Sequence, residues 1–260
     1  MRLIPPLAIA VMLLVPPLAA AHDPVFSPGP HTLYRNGVEV HLGTHRSEAG
    51  GEAEQEYEAS LSYGLTGDWV VGVDLPYHVE DGHGERGPIA LRSKWRFWRD
   101  DRLGAQDAAA VSGRVFLDAG PAGGATDALL GLSYGHEGLI WYRWLSARYR
   151  VNGKDDAGFE RGDRWFADAV IGVRPRQLRY REPDAVWMLE LNLEGTARSE
   201  RAGASVPDSG GTEAFLSPGL MWTWRNVAVK PGVQLPIYSD LNGRQAATDF
   251  RAQIELEFHL

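Results

Sequence analysis

Arg92, Lys94 and Arg96 stand at every second position, as do Glu56 and Glu58, Arg148 and Arg150, Glu190, Asn192 and Glu194, and Glu255 and Glu257. A spacing of two puts side chains on one face of an extended strand, so most of these runs are files of like charge on a single surface. With Arg114 and Glu39 added, they form a basic wall and acidic walls. Across a narrow water-filled pore, such walls set up a transverse field that orients polar solutes. In a dry interior the same charges must pair, and then they fill a small barrel and hold it rigid. The sequence leaves both readings open.

The histidines offer a second chemistry, because there are eight of them and no cysteine. If the chain is cut after Ala21, the amine and imidazole of His22 could chelate copper, which favours nitrogen ligands; a solvated terminus is the plain alternative. His41, His45, His78 and His83, with Glu80 and Asp81, are expected at one rim of the molecule, where they could bind a divalent metal or simply face water. His259 is expected at the end opposite His41. Gly131-Leu132-Ser133-Tyr134-Gly135 matches a nucleophile elbow, but that device needs a turn and a helix after the strand. Here another strand follows, and Leu61-Ser62-Tyr63-Gly64 echoes the segment. A membrane lipase needs Ser and His together on the outer face, and none of His41, His78 and His259 has outward parity. Without cysteine there is no disulfide framework, zinc ribbon or thiol nucleophile. The expectation is no enzyme and no cofactor.

Lys plus Arg number 26 against 34 Asp plus Glu, a formal net charge of -8, which argues against a nucleic-acid partner. At 44% hydrophobic and 10% aromatic the chain is far from the disordered class. Residues 1–21 read as a secretory signal peptide: Arg2, an apolar stretch broken by Pro5, Pro6, Pro16 and Pro17, then Ala19-Ala20-Ala21. Residues 22–31 are then a short periplasmic segment rich in proline.

From Thr32 onward apolar residues recur at every second position, as in Phe250, Ala252, Ile254, Leu256, Phe258 and Leu260. Helices would place them at three and four. The runs predict twelve strands, at 32–43, 53–65, 69–79, 89–99, 106–118, 127–136, 139–151, 164–175, 185–198, 212–224, 227–238 and 249–260. Their connections alternate between mostly short turns and longer loops rich in glycine and charge. Trp69, Trp95, Trp98, Trp141, Trp144, Trp187, Trp222 and Trp224 fall near the short-turn ends. Tyr77, Phe116, Tyr149, Trp165, Phe215, Tyr238 and Phe250 fall toward the long-loop ends. An even strand number, asymmetric connections and two aromatic girdles specify an all-β fold: a single antiparallel twelve-stranded transmembrane β-barrel of outer-membrane type, spanning 32–260. Arg143 has lipid-facing parity, so it either snorkels near the interface or marks a bulge that switches the face.

The chain resembles the outer-membrane barrels named as transporters and grouped with meta-pathway phenol-degradation proteins. The resemblance rests on His22-Asp23-Pro24-Val25-Phe26 with Gly29-Pro30-His31, Leu65-Thr66-Gly67-Asp68-Trp69 and Lys94-Trp95-Arg96-Phe97-Trp98. It continues in Arg181-Glu182-Pro183-Asp184, Gly232-Val233-Gln234-Leu235-Pro236-Ile237 and Glu257-Phe258-His259-Leu260. It implies passage of a small solute, aromatic or hydrophobic in character, across the bacterial outer membrane, with outer-membrane lipid and the barrel-assembly machinery as partners. The competing expectation is a non-conducting barrel that serves as a structural or metal-binding protein.

Overall fold

A computed structural model of the chain describes residues 22–80, 83–119, 123–176 and 182–260. The expected signal peptide, Asp81 and Arg181 lie outside them. Twelve long strands form the wall: β1 (Val38–Ala49), β2 (Glu52–Thr66), β3 (Trp69–Glu80), β4 (Ile89–Arg102), β5 (Ala105–Leu117), β6 (Thr126–Gly138), β7 (Trp141–Val151), β8 (Arg164–Val173), β9 (Asp184–Thr196), β10 (Gly211–Trp224), β11 (Val227–Leu241) and β12 (Thr248–His259). Each pairs antiparallel with its chain neighbours, and β1 pairs with β12, so the sheet closes on itself. Closure leaves no unpaired edge, which strands surrounded by hydrocarbon require.

The alternation that predicts the strands also sorts their faces. Leu130, Leu145, Trp187 and Ile237 are each more than half exposed, and a continuous band of such residues surrounds the barrel. In water that band would be an aggregation surface; around a closed barrel it is the lipid-facing belt. Among the described residues no helix is long and apolar enough to cross a membrane. A bulge between Arg96 and Trp98 shifts the parity of β4, so that Phe97 and Trp98 both face outward. Arg143 is exposed on the outer face, between the outward Trp141 and Leu145. Phe116 and Phe215 leave the expected girdle for the lumen, and so does Trp144. It has the parity of Tyr142 and lies buried in the lumen, stacked on that ring at 5.4 Å.

The first strand departs most from expectation. It begins at Val38 rather than Thr32 and runs on to Ala49, where Gly50 and Gly51 (φ +59° and +88°) turn the chain directly into β2. The anticipated loop at 44–52 is therefore mostly hairpin. Thr44, Arg46 and Glu48 carry no apolar alternation, but the ladder continues through Ser47 and Glu54. A hairpin that projects beyond the hydrocarbon needs hydrogen bonds, not an apolar face. Short strands at His83–Arg86, Phe159–Glu160, Glu200–Arg201 and Ala204–Ser205 extend the long-loop end, the last three as a small sheet of their own.

Candidate functional site

Residues 22–31 do not lie free in the periplasm. They fold into the lumen at the short-turn end and form a plug, held on two sides by different chemistry. On one side Val25 packs against Tyr142, Trp144, Val170, Val186, Met188 and Met221, from β7 to β10, with Phe26 beside it. Gly219 and Gly232 make this approach possible: a Cβ on either would come within 2.7 Å of Val25 or Phe26. At the centre of the same wall sits Glu190, fully buried. It accepts hydrogen bonds from the Val25 and Phe26 amides (2.8 and 3.1 Å) and from the Ser27 hydroxyl (2.5 Å). A buried carboxylate is tolerated only when its oxygens are satisfied, and here the plug's backbone satisfies them.

On the other side the contacts are ionic. Lys94 Nζ lies 2.6 Å from Asp23 Oδ2. His22 Nδ1 lies 2.6 Å from Glu257 Oε2, while Lys230 Nζ reaches Glu257 Oε1 at 2.6 Å and Glu255 Oε2 at 2.8 Å. Gln253 donates from Nε2 to the Val25 carbonyl. At the mouth, outside the strands, His31 Nε2 meets Glu137 Oε1 at 2.5 Å. Burial works against the charged form of His31, but Glu137, with Asp23 nearby, outweighs it and raises its pKa above the ordinary 6.5.

The parity argument places the charges of both walls inside, but the walls do not simply face each other. Much of the basic wall is neutralised by aspartates beside it. Arg92 and Arg114 share Asp74, Arg148 pairs with Asp168 at 2.9 Å, and Arg150 pairs with Asp127 at 2.5 Å. Arg96 binds Asp68 of the first short turn at 2.9 Å. On the acidic side, Glu58 reaches Arg114 at 3.4 Å and His41 at 3.8 Å, and Glu194 is held by Arg251 and Arg164 at 2.7 and 3.2 Å. Glu39 accepts from the Ser62 hydroxyl at 3.3 Å. Sequence reasoning passed over Asp74, Asp127, Asp168 and Lys230, although each has inward parity. As single charges among small or apolar neighbours they form no run.

The histidines divide. His45, Glu56 and His78 occupy one row across β1, β2 and β3, with His78 Nδ1 at 3.3 Å from Glu56. His83 is exposed on the short strand beyond β3. His41 is not at that rim. With β1 displaced along the sequence it sits deep in the barrel, near Glu255 (3.6 Å). His259, expected at the opposite end, is its near neighbour: Glu39 pairs with His259 and His41 with Glu257. The Gly131–Gly135 motif runs through the middle of β6, with Ser133 paired to Ala110 and Ser146, so no elbow exists.

Beside the plug remains a cavity of about 440 Å³, whose lining includes Asp23, Glu56, Arg92, Lys94, Arg114 and Arg148. Further along the lumen, arginines lie over phenylalanine faces: Arg150 over Phe116 at 4.0 Å, Arg148 over Phe166 at 4.7 Å and Arg251 over Phe215 at 4.4 Å.

No family model matches the sequence, and no curated protein matches it, so the resemblance to the phenol-degradation group is not confirmed. Solved structures do match. The chain is similar to the COG4313 outer membrane channel from Pseudomonas putida F1 (TM-score 0.70, 11% identity, covering 90% of this chain and 99% of that one). It is also similar to the NanC porin (TM-score 0.55, 12% identity, 86% and 100%). At such identities the likeness is one of fold. Together with the lipid-facing belt, it identifies the chain as a β-barrel of the bacterial outer membrane.

Proposed function

We propose that this barrel gives a small solute passage across the outer membrane along the charged side of its lumen, with the N-terminal plug setting the width. The observation that carries this reading is the eccentric seat of the plug. It lies against the apolar wall of β7–β10 and leaves the roughly 440 Å³ cavity on the side of Arg92, Lys94 and Arg114. A lining that carries charges of both signs stays wet and favours small polar solutes. The Arg–Phe stacks add flat, cation-bearing faces suited to an aromatic acid. The chain acts without catalysis, as a passive path, after insertion by the barrel-assembly machinery into lipid.

A second reading, a non-conducting structural barrel, is favoured by the dense pairing of the lumen charges and by the tight dock of the plug on Glu190. Single-channel recording in planar bilayers separates the two. The passage reading expects small, resolved conductance steps from the protein spanning 22–260, and steps several-fold larger when residues 22–31 are deleted. Silence in both forms would exclude passage; silence only with the plug present would make the barrel a closed one. Liposome swelling with benzoate against benzyl alcohol then tests the preference for an aromatic acid.

A further inference from the structure

We infer that His22, Glu257 and His259 form a binding site for a divalent transition metal, copper(II) before zinc(II), which fastens the plug to β12. The ligand atoms of the three side chains all lie within 4.8 Å of one another. His22 Nδ1 is 2.6 Å from Glu257 Oε2 and 3.3 Å from His259 Nε2, and the two rings meet edge to face at 4.8 Å. The three side chains are 2%, 9% and 11% exposed.

Counting protons shows why a cation belongs there. His22 Nδ1 carries either one hydrogen or one lone pair. If it donates to Glu257, the carboxylate is satisfied, but His259 Nε2, 3.3 Å away, gains no hydrogen bond from that ring and has only Glu39 at 3.6 Å. If it accepts from His259, its lone pair is pressed against the Glu257 oxygen at 2.6 Å. If both rings are protonated, two like charges meet at 3.3 Å. A metal ion removes the conflict by taking all three lone pairs at once.

Charge points the same way. Glu39, Glu255 and Glu257 converge on this corner against the single ammonium of Lys230. Arg92 offsets part of Glu39, with Ser62 between them, so with neutral imidazoles the corner keeps a net negative charge that favours a cation. Lys230 occupies the other oxygen of Glu257 and so leaves Oε2 aimed at the histidines. Two imidazoles and a carboxylate form a borderline donor set, for which the affinity order of divalent ions peaks at copper. The side chains suffice without an N-terminal amine, and the site does not depend on whether the barrel conducts.

The test uses the detergent-solubilised barrel spanning 22–260, stripped of metal and titrated with copper(II) chloride by calorimetry and electron paramagnetic resonance. The expected result is one equivalent bound at submicromolar Kd, with hyperfine structure from two nitrogens. His259→Ala and, separately, His22→Ala, which leaves every strand intact, should each weaken binding at least a hundredfold. His78→Ala should change nothing. Heat-modifiable migration on mild SDS gels checks that each variant is folded. Absence of stoichiometric binding, or an affinity unaffected by His22→Ala, overturns the site. So does a loss with His78→Ala as large as with His22→Ala, since that marks surface histidines as the binders.

Discussion

The two sides that grip the plug differ in kind. The β7–β10 side is a fitted apolar surface with one carboxylate at its centre, and it recognises shape and two backbone amides. The side formed by β4, β11 and β12 is a set of charges, and it recognises charge. Apolar contact follows buried area and carries no charge to titrate. On the ionic side the Lys94–Asp23 pair is partly wet and weak, whereas the His22–Glu257–Lys230 group is buried and costly to break. The plug is therefore held on both sides, by shape on one and by charge on the other.

The largest effect is expected at Glu190. Glu190→Ala leaves two buried amides and a hydroxyl without an acceptor, at about 1–3 kcal/mol for each unsatisfied group. Because the chain has no native cysteine, a single Cys replacing Pro28 reports plug release by its rate of thiol labelling. That rate should rise a hundredfold or more in the Glu190→Ala background. Unchanged labelling would mean that the ionic side alone seats the plug.

Next comes Gly219→Leu, which drives a side chain into the space of Val25. Overpacking of this sort costs about 1–3 kcal/mol, so labelling should rise roughly tenfold, with a parallel rise in conductance. Val25 itself can be probed by truncation: Val25→Ala should loosen the plug less than Gly219→Leu, since it removes only about two methyl groups of burial.

The contact of His31 with Glu137 of β6 should show itself through pH. The pKa of His31 is raised in the folded state, so its contribution is fully present below the ordinary value of 6.5 and is lost as pH rises through the raised value. Labelling at position 28, taken relative to the same Cys in the plug-released Glu190→Ala background at each pH to remove the thiol's own pH dependence, should then be flat in mild acid and climb toward alkaline pH. Glu137→Gln should abolish the step. A rise toward acid instead would reverse the assignment.

Lys94→Gln should have the smallest effect on the plug. The Lys94–Asp23 pair is about a quarter exposed on each side, and such pairs contribute about 0–1 kcal/mol. Labelling should barely move, while reversal-potential measurements should shift selectivity toward cations. A large release of the plug would show that the charged side holds it as firmly as the apolar one.

Much of the wall was legible. In β9, Trp187, Leu189 and Leu191 alternate with Met188, Glu190 and Asn192 along the chain, and the structure exposes the first set and buries the second. Alternation failed where it had nothing to act on. Thr44 to Ala49 stands beyond the lipid, so neither face had to be apolar, and β1 was placed too early. That single displacement moved His41 from the rim to the floor and hid its neighbour His259.

The sequence by itself determined the strand number, the alternation of faces along most strands and the lipid-facing belt, because a period of two is a property of the local backbone. Only the tertiary structure decided where the proline-rich segment goes and which charges it meets. Val25 and Glu190 are 165 residues apart, and His22 and Glu257 are 235 apart. Contacts at such separation depend on how the barrel closes and on the register of every strand between. The side chains at the two ends of those contacts follow no local period that would announce them.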